Sequence, residues 1–193
     1  MIHNKYSDIL EQYLSDFTKE IYGRELVGKV SLSQKAIALT LDELEKEGIL
    51  ISRKQGNIKY FKLNLENTEI KDIIALAEIN RKIIFLKKQR KLAHVFNYDN
   101  RIVGIFGSYA RGVQKESSDI DMFVIGEKRK RDYDREGKPY DLNISIKYFS
   151  EKEFLKLIRN KNTLCKEIIA SHILLFNIEK FIAVIWREYY GFD

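Results

Sequence analysis

The spacing of apolar positions changes period several times along this 193-residue chain, and each change predicts an element. Ile9, Leu10, Tyr13 and Leu14 share one face of a helix over residues 6–14. Residues 24–30 read as a short second helix. Ser33 stands where an N-cap belongs for a third over 34–47, with Ile37, Leu41 and Leu44 as its buried stripe and Gly48 as its stop. The period then falls to two. Residues 49–51 and 59–63 read as strands, and Gly56-Asn57 marks the turn between them. Ile70, Ile73, Ile74, Ala77, Ile84, Phe85 and Leu92 return to helical spacing within 67–96 and predict one long helix, whole or broken. The apolar run 102–106 predicts a buried strand, and Met122 to Ile125 a second. From 140 to 148, Leu142, Ile144, Ile146 and Tyr148 alternate with Asp141, Asn143, Ser145 and Lys147, which predicts a third strand with one apolar and one polar face. Residues 127–138 are densely charged and read as a loop. Residues 151–158 and 164–175 form amphipathic segments, and 181–186 a last helical stretch.

Chemistry concentrates between the first two of these later strands. The run Gly107-Ser108-Tyr109-Ala110-Arg111-Gly112 follows the apolar strand, and Asp119 and Asp121 open the next. Gly107 allows the backbone to approach a bulky anion, and Ser108 can cap the helical turn behind it. Residues two apart on a strand point the same way, so Asp119 and Asp121 face one side and can hold a hard divalent cation.

Gly-Ser, a ten-residue spacer and Asp-x-Asp resemble the DNA polymerase β nucleotidyltransferase superfamily, in particular its minimal members. The resemblance covers roughly residue 95 to the C-terminus, and Gly112 matches the second glycine of that family's loop. It implies a nucleotide site formed by Gly107, Ser108, Arg111, Gly112 and Ser118. Asp119 and Asp121 would be metal-binding and catalytic, and a third carboxylate would stand on a later strand. Asp141, the only acid on the polar face of 140–148, is the candidate for it, with Asp132 and Asp134 of the charged stretch as competitors. Two Mg²⁺ ions and ATP or another nucleoside triphosphate are the implied cofactor and substrate. Little chain remains after residue 150 to build an acceptor-binding domain, so the acceptor is expected to be a separate macromolecule. Some minimal nucleotidyltransferases are antitoxins that move AMP from ATP to a hydroxyl of a HEPN-type ribonuclease toxin, which makes a protein acceptor the leading expectation.

Helix, helix, helix and hairpin over residues 5–65 resemble the winged helix-turn-helix of archaeal and bacterial regulators. That resemblance implies double-stranded DNA as a partner, with Gln34 and Lys35 at the groove and Arg53, Lys54, Lys59 and Lys62 on the wing gripping phosphates. Exposed Leu39 could instead meet a protein or a second copy of the chain in a homodimer. The expected fold is α+β: a winged helix-turn-helix domain (1–66), a connecting helix (67–96) and a polymerase-β-like nucleotidyltransferase domain with a mixed sheet (97–193).

Composition narrows this reading without redirecting it. Lys and Arg number 34 against 28 Asp and Glu, a net charge of +6. Residues 1–66 are balanced at ten of each sign, so the excess lies further along and permits, without requiring, an acidic or nucleic-acid partner. A single cysteine, Cys165, excludes an intrachain disulfide, and the three histidines lack zinc-ligand spacing. No run approaches the ~20 apolar residues of a membrane span, so a cytoplasmic protein with no membrane partner is expected. A rival reading keeps the DNA-binding regulator and makes the nucleotidyltransferase-like domain a binding module without catalysis. A further one is an antitoxin acting by masking alone.

Overall fold

The computed structural model describes residues 5–115, 118–128 and 131–192. Residues 116–117 of the spacer and 129–130 of the charged stretch lie outside them. The chain divides into two compact units, residues 1–80 and 81–193.

The first unit opens with α1 (Lys5–Leu10), which tightens into a 3-10 turn at Glu11–Tyr13. Tyr13 is fully buried and its hydroxyl donates to the carbonyl of Phe61 at 3.0 Å, which satisfies the one polar atom this ring brings into the core. A two-residue strand follows, β1 (Ile21–Tyr22), which the sequence pattern does not reveal. The helix expected over 24–30 is instead a 3-10 turn, Gly23–Leu26. Val27 is already extended and Gly28 sits at φ 81°, so nothing propagates the turn. Ser33 caps α2 (Gln34–Lys46) by accepting from the Ala36 N–H at 3.2 Å, and Ile37, Leu41 and Leu44 are buried as their spacing predicts. β2 (Leu50–Gln55) and β3 (Ile58–Leu63) pair antiparallel across the Gly56-Asn57 turn, and β3 also pairs with β1.

The division between the units falls inside α3 (Ile70–Lys88), between Asn80 and Arg81. The helical periodicity from 67 to 96 breaks once, at Gln89 (φ −107°, ψ 64°), before α4 (Arg90–Val95).

The second unit is built on a four-stranded mixed sheet in the order β6-β5-β4-β7. β4 (Ile102–Phe106) runs antiparallel to both β5 (Ile120–Ile125) and β7 (His172–Phe176), while β6 (Ile144–Phe149) runs parallel to β5. Val103, Ile105, Ile120, Met122, Val124 and Ile144 point to one face and join Phe85, Leu92, Val95, Phe96 and Tyr133 in a single core. Phe106 and Phe123 point to the other face, where Phe154 of α7 (Glu151–Arg159) and Phe181 of α9 (Ile178–Glu188) close over them. Gly104 stands opposite Phe123, and a Cβ there would lie 2.4 Å from the ring, so only glycine admits the aromatic layer.

Two sequence expectations are corrected here. The charged stretch 127–138 is not all loop: Asp132 caps α6 (Tyr133–Gly137), whose Tyr133 is fully buried. The segment 164–175 is not one amphipathic element: α8 (Thr163–Ala170) ends at an extended Ser171, and the remainder is β7.

Candidate active site

β4 and β5 pair with Ile105 opposite Met122, so the end of β4 and the start of β5 lie side by side. The chain leaves β4 at Phe106 and turns through Gly107 into α5 (Gly107–Arg111). Asp119 stands just before β5 and Asp121 one residue inside it. Ile120 and Met122 enter the core, so strand alternation turns Asp121 to the opposite face.

Gly107 has φ 70°, and a Cβ built on it would lie 2.5 Å from Oδ2 of Asp121 and 3.3 Å from its Cβ and Cγ. The Asp121 carboxylate therefore occupies the space that any side chain at 107 would fill. This contact ties the Gly-Ser turn to the aspartate motif across fourteen residues of sequence. Asp119 is exposed and Asp121 half-buried. Burial pushes the Asp121 carboxyl above its usual range; the negative charges of Glu167 and Asp119 push further, and Lys147 and Arg111 oppose them. A carboxylate disfavoured in this way gains from a cation placed beside it.

The other residues expected at the site are arranged less simply. The N-cap position of α5 is Phe106 and carries no side-chain cap, so Ser108 does not cap the helix. Arg111 donates from Nη1 to Oε1 of Glu167 on α8 at 3.3 Å. Gly112 ends α5 at φ 69° with open space around it. The Ser118 hydroxyl accepts from the Lys115 N–H at 2.9 Å. Asp141 is not on β6. It lies in the left-handed region (φ 56°), exposed, at the end of a 3-10 turn (Lys138–Tyr140), and the strand begins three residues later. Ser145 pairs with Asp121 in the parallel register, and Lys147 follows on the same face.

In the first unit, Gln34 and Lys35 are exposed in the first turn of α2, as are Lys54 and Lys62 on the hairpin. Arg53 instead grips Glu20 through Nε (2.9 Å to Oε1) and Nη2, and Lys59 is held by Asp42 at 3.0 Å and Glu45 at 2.6 Å. The strand register places Lys54 and Lys59 on one face of the hairpin and Arg53 and Lys62 on the other.

Sequence reasoning missed two features. Glu167 resembles any solvated acid on an amphipathic helix, and no spacing betrays it. The second is a buried cluster at the far end of β4. Asp99 accepts from Arg101 Nε (3.0 Å) and Nη2 (2.7 Å) and from the Tyr133 hydroxyl (2.6 Å), while Arg101 Nη1 donates to the Glu127 carbonyl at 2.7 Å. Burial pushes the Asp99 carboxyl up, but these donors outweigh it and hold it below its ordinary range. Both side chains are nearly sealed from solvent, at 3% and 4% exposure, so the pair braces the strand rather than serving a site.

Among the described residues no three His, Cys, Asp or Glu side chains are placed together where they could hold a metal ion. Nor is any described helix long and apolar enough to cross a membrane.

A glycine turn packed on an aspartate pair at one end of a mixed sheet defines a class, and comparison with known proteins agrees. The family model "Polymerase beta, Nucleotidyltransferase" matches residues 90–181. The chain belongs to the polymerase β nucleotidyltransferase family. A protein of Methanocaldococcus jannaschii, provisionally named a protein adenylyltransferase, is 36% identical over 85 residues, which cover 44% of this chain and 79% of that relative. No solved structure matches the chain significantly.

Proposed function

We propose that the protein transfers AMP from ATP to a hydroxyl of a macromolecular acceptor, a protein in the first instance. The observation that carries this reading is the Asp121 carboxylate packed into the space above Gly107, with Asp119 beside it. It unites the turn that receives phosphates with the carboxylates that meet them. The relative's name supplies the direction toward adenylyl transfer and a protein acceptor. A HEPN-type toxin is one acceptor of that kind.

The donor set suits Mg²⁺. Asp119 and Asp121 offer only hard oxygen ligands, as Mg²⁺ requires, and Mg²⁺ characteristically keeps waters and takes further ligands from substrate phosphates. Bound there, the metal would neutralise triphosphate charge and stabilise the entering and leaving oxygens of an in-line displacement. Asp119 and Asp121 would hold it. The backbone at Gly107 and Ser108 would receive the outer phosphates, and Arg111 would add positive charge to the pyrophosphate as it departs. The acceptor oxygen forms a new bond to the α-phosphorus, the bond from that phosphorus to the bridging oxygen breaks, and the hydroxyl proton is lost to a nearby base or water.

For the first unit we propose a winged-helix role on DNA. The order of capped helix and hairpin supports it, as do exposed Gln34, Lys35, Lys54 and Lys62. Arg53 and Lys59 already hold acids, so the phosphate contacts fall mainly to Lys54 and Lys62.

The test of the central reading is transfer of label from α-labelled ATP in the presence of Mg²⁺ and candidate acceptor proteins, with Asp119→Asn/Asp121→Asn alongside. Label on a protein that vanishes with the double variant is expected, a drop of about a thousandfold or more. Equal labelling by both chains would overturn it.

A further inference from the structure

We infer that the outer surface of α4, with the end of α3 and the turn before β6, binds a single-stranded nucleic acid. The inference goes beyond the nucleotidyl-transfer reading and does not depend on it. Between Glu78 and Asp99 the sequence holds six cations and no acid. Four of them, Lys87, Lys88, Arg90 and Lys91, are exposed, and none pairs with an acid among the described residues. They fall within five consecutive residues, so their backbone stays within about 15 Å whatever the break at Gln89 does. Leu92 and Val95 turn into the core and leave Arg90, Lys91 and His94 on the outside of α4. Spacings of three and four residues make both cations neighbours of His94 on the helix surface.

Cations alone would suit any polyanion, and the rings beside them narrow the class. His94 and Tyr140 lie stacked, with centroids 5.6 Å apart and planes 9° from parallel. Both are exposed, so the pair offers solvent a flat aromatic face. Tyr98, just past the end of α4, is 75% exposed, the most of any large apolar or aromatic side chain among the described residues. The segment that carries these groups is pinned. Arg131 donates from Nη2 to the Val95 carbonyl and from Nη1 to that of Tyr98, each at 2.7 Å. The same guanidinium holds Glu136 through Nε at 2.7 Å, and Lys138 faces Asp134 at 3.7 Å, so these two acids of α6 already have cations of their own.

Cations and open rings in one patch match the two parts of a single strand. Phosphates meet the charges, and unstacked bases lie on the aromatic faces. A duplex keeps its bases stacked on one another and gives such rings nothing to meet. An acidic peptide would use the cations and leave the rings idle.

The experiment titrates the full-length protein into labelled, unstructured RNA of about 15 nucleotides, DNA of the same sequence, the matching DNA duplex and an oligo-aspartate peptide, and reads fluorescence anisotropy. Arg90→Gln/Lys91→Gln, Tyr140→Ala, Tyr140→Phe and Lys54→Gln/Lys62→Gln run alongside, each first checked for folding by circular dichroism. In the Lys54→Gln/Lys62→Gln chain, whose hairpin is silenced, a single strand should still bind, and more tightly than duplex or peptide. Its log affinity should fall against log salt with a slope of about −3 for four phosphate contacts, and Arg90→Gln/Lys91→Gln should bring that slope down by about half. Tyr140→Ala should weaken the strand by about tenfold with the slope unchanged, while Tyr140→Phe, which keeps the ring, should bind as the parent does. The tighter of the two strands names RNA or DNA as the ligand. The inference is overturned if no strand binds, or if duplex or peptide outbinds the strand in the hairpin variant. It is overturned equally if Tyr140→Ala or Arg90→Gln/Lys91→Gln binds the strand as the parent does.

Discussion

Asp99 shows how a buried charge becomes a structural asset. Four donor atoms from Arg101 and Tyr133, the Arg101 backbone N–H among them, compensate a carboxylate almost sealed from water. Its folded-state affinity for protons is depressed below the unfolded value of ~3.9. The contribution to stability is therefore present above that unfolded value and is lost as pH falls through the folded one. Asp99→Asn should destabilise the second unit by about 3–5 kcal/mol in urea unfolding at pH 7, because Arg101 is left buried without its counter-charge. The gap between parent and variant should narrow in acid below about pH 4. A gap that holds constant with pH would mean that shape rather than charge sets the cost. Asp121 presents the opposite case. Burial and the negative charges of Glu167 and Asp119 raise its carboxyl above the usual range.

At the level of elements, local chemistry and long-range pairing contribute separately. α7 is specified locally. Ser150 accepts from the Glu153 N–H at 3.2 Å, and Glu153 accepts from the Ser150 N–H at 2.8 Å, a reciprocal capping box. Ser150→Ala should cost about 1 kcal/mol in chemical denaturation with the fold unchanged by circular dichroism; no loss would show that packing of Phe154 and Ile158 alone holds the helix. The boundary between α8 and β7 is not local. Ile168, Ile169, Ile173, Leu174 and Leu175 are apolar throughout, and such a run suits a buried helix and a buried strand equally. The edge of β4 settles it, pairing with β7 through Ile105–Ile173 and Phe106–His172. By sequence alone Asp141 reads as part of a strand for a related reason. Alternation continues back through Leu142, but the backbone turns left-handed at 141, and alternation alone cannot register that.

On the scale of the molecule, the two units carry separate proposals, and one experiment separates them. Hydrogen exchange of the full chain with Mg²⁺ and ATP should slow amides at 107–112 and leave those of α2 unchanged, whereas a duplex from its own promoter should slow α2 and the β2–β3 turn. Protection of α2 by nucleotide, or no response to any duplex, would remove the corresponding proposal. The family relationship bears on the second unit, where the match to residues 90–181 lies. Much of that unit is legible from residue order alone. The Gly-Ser turn, the aspartate pair and the apolar strands beside them are short-range patterns, and both strand alternation and turn chemistry act within a few residues. The same holds for α2, where the Ser33 cap and the buried stripe agree with the structure. The remainder depends on contacts between distant segments. The short strand β1, the strand β7, the Asp99–Tyr133 hydrogen bond and the Arg111–Glu167 ion pair all arise from partners tens of residues apart. Periodicity reports which side of an element is apolar. It carries no information on which other element will meet that side, because hydrogen-bonding edges and charge neighbourhoods exist only once the chain has folded.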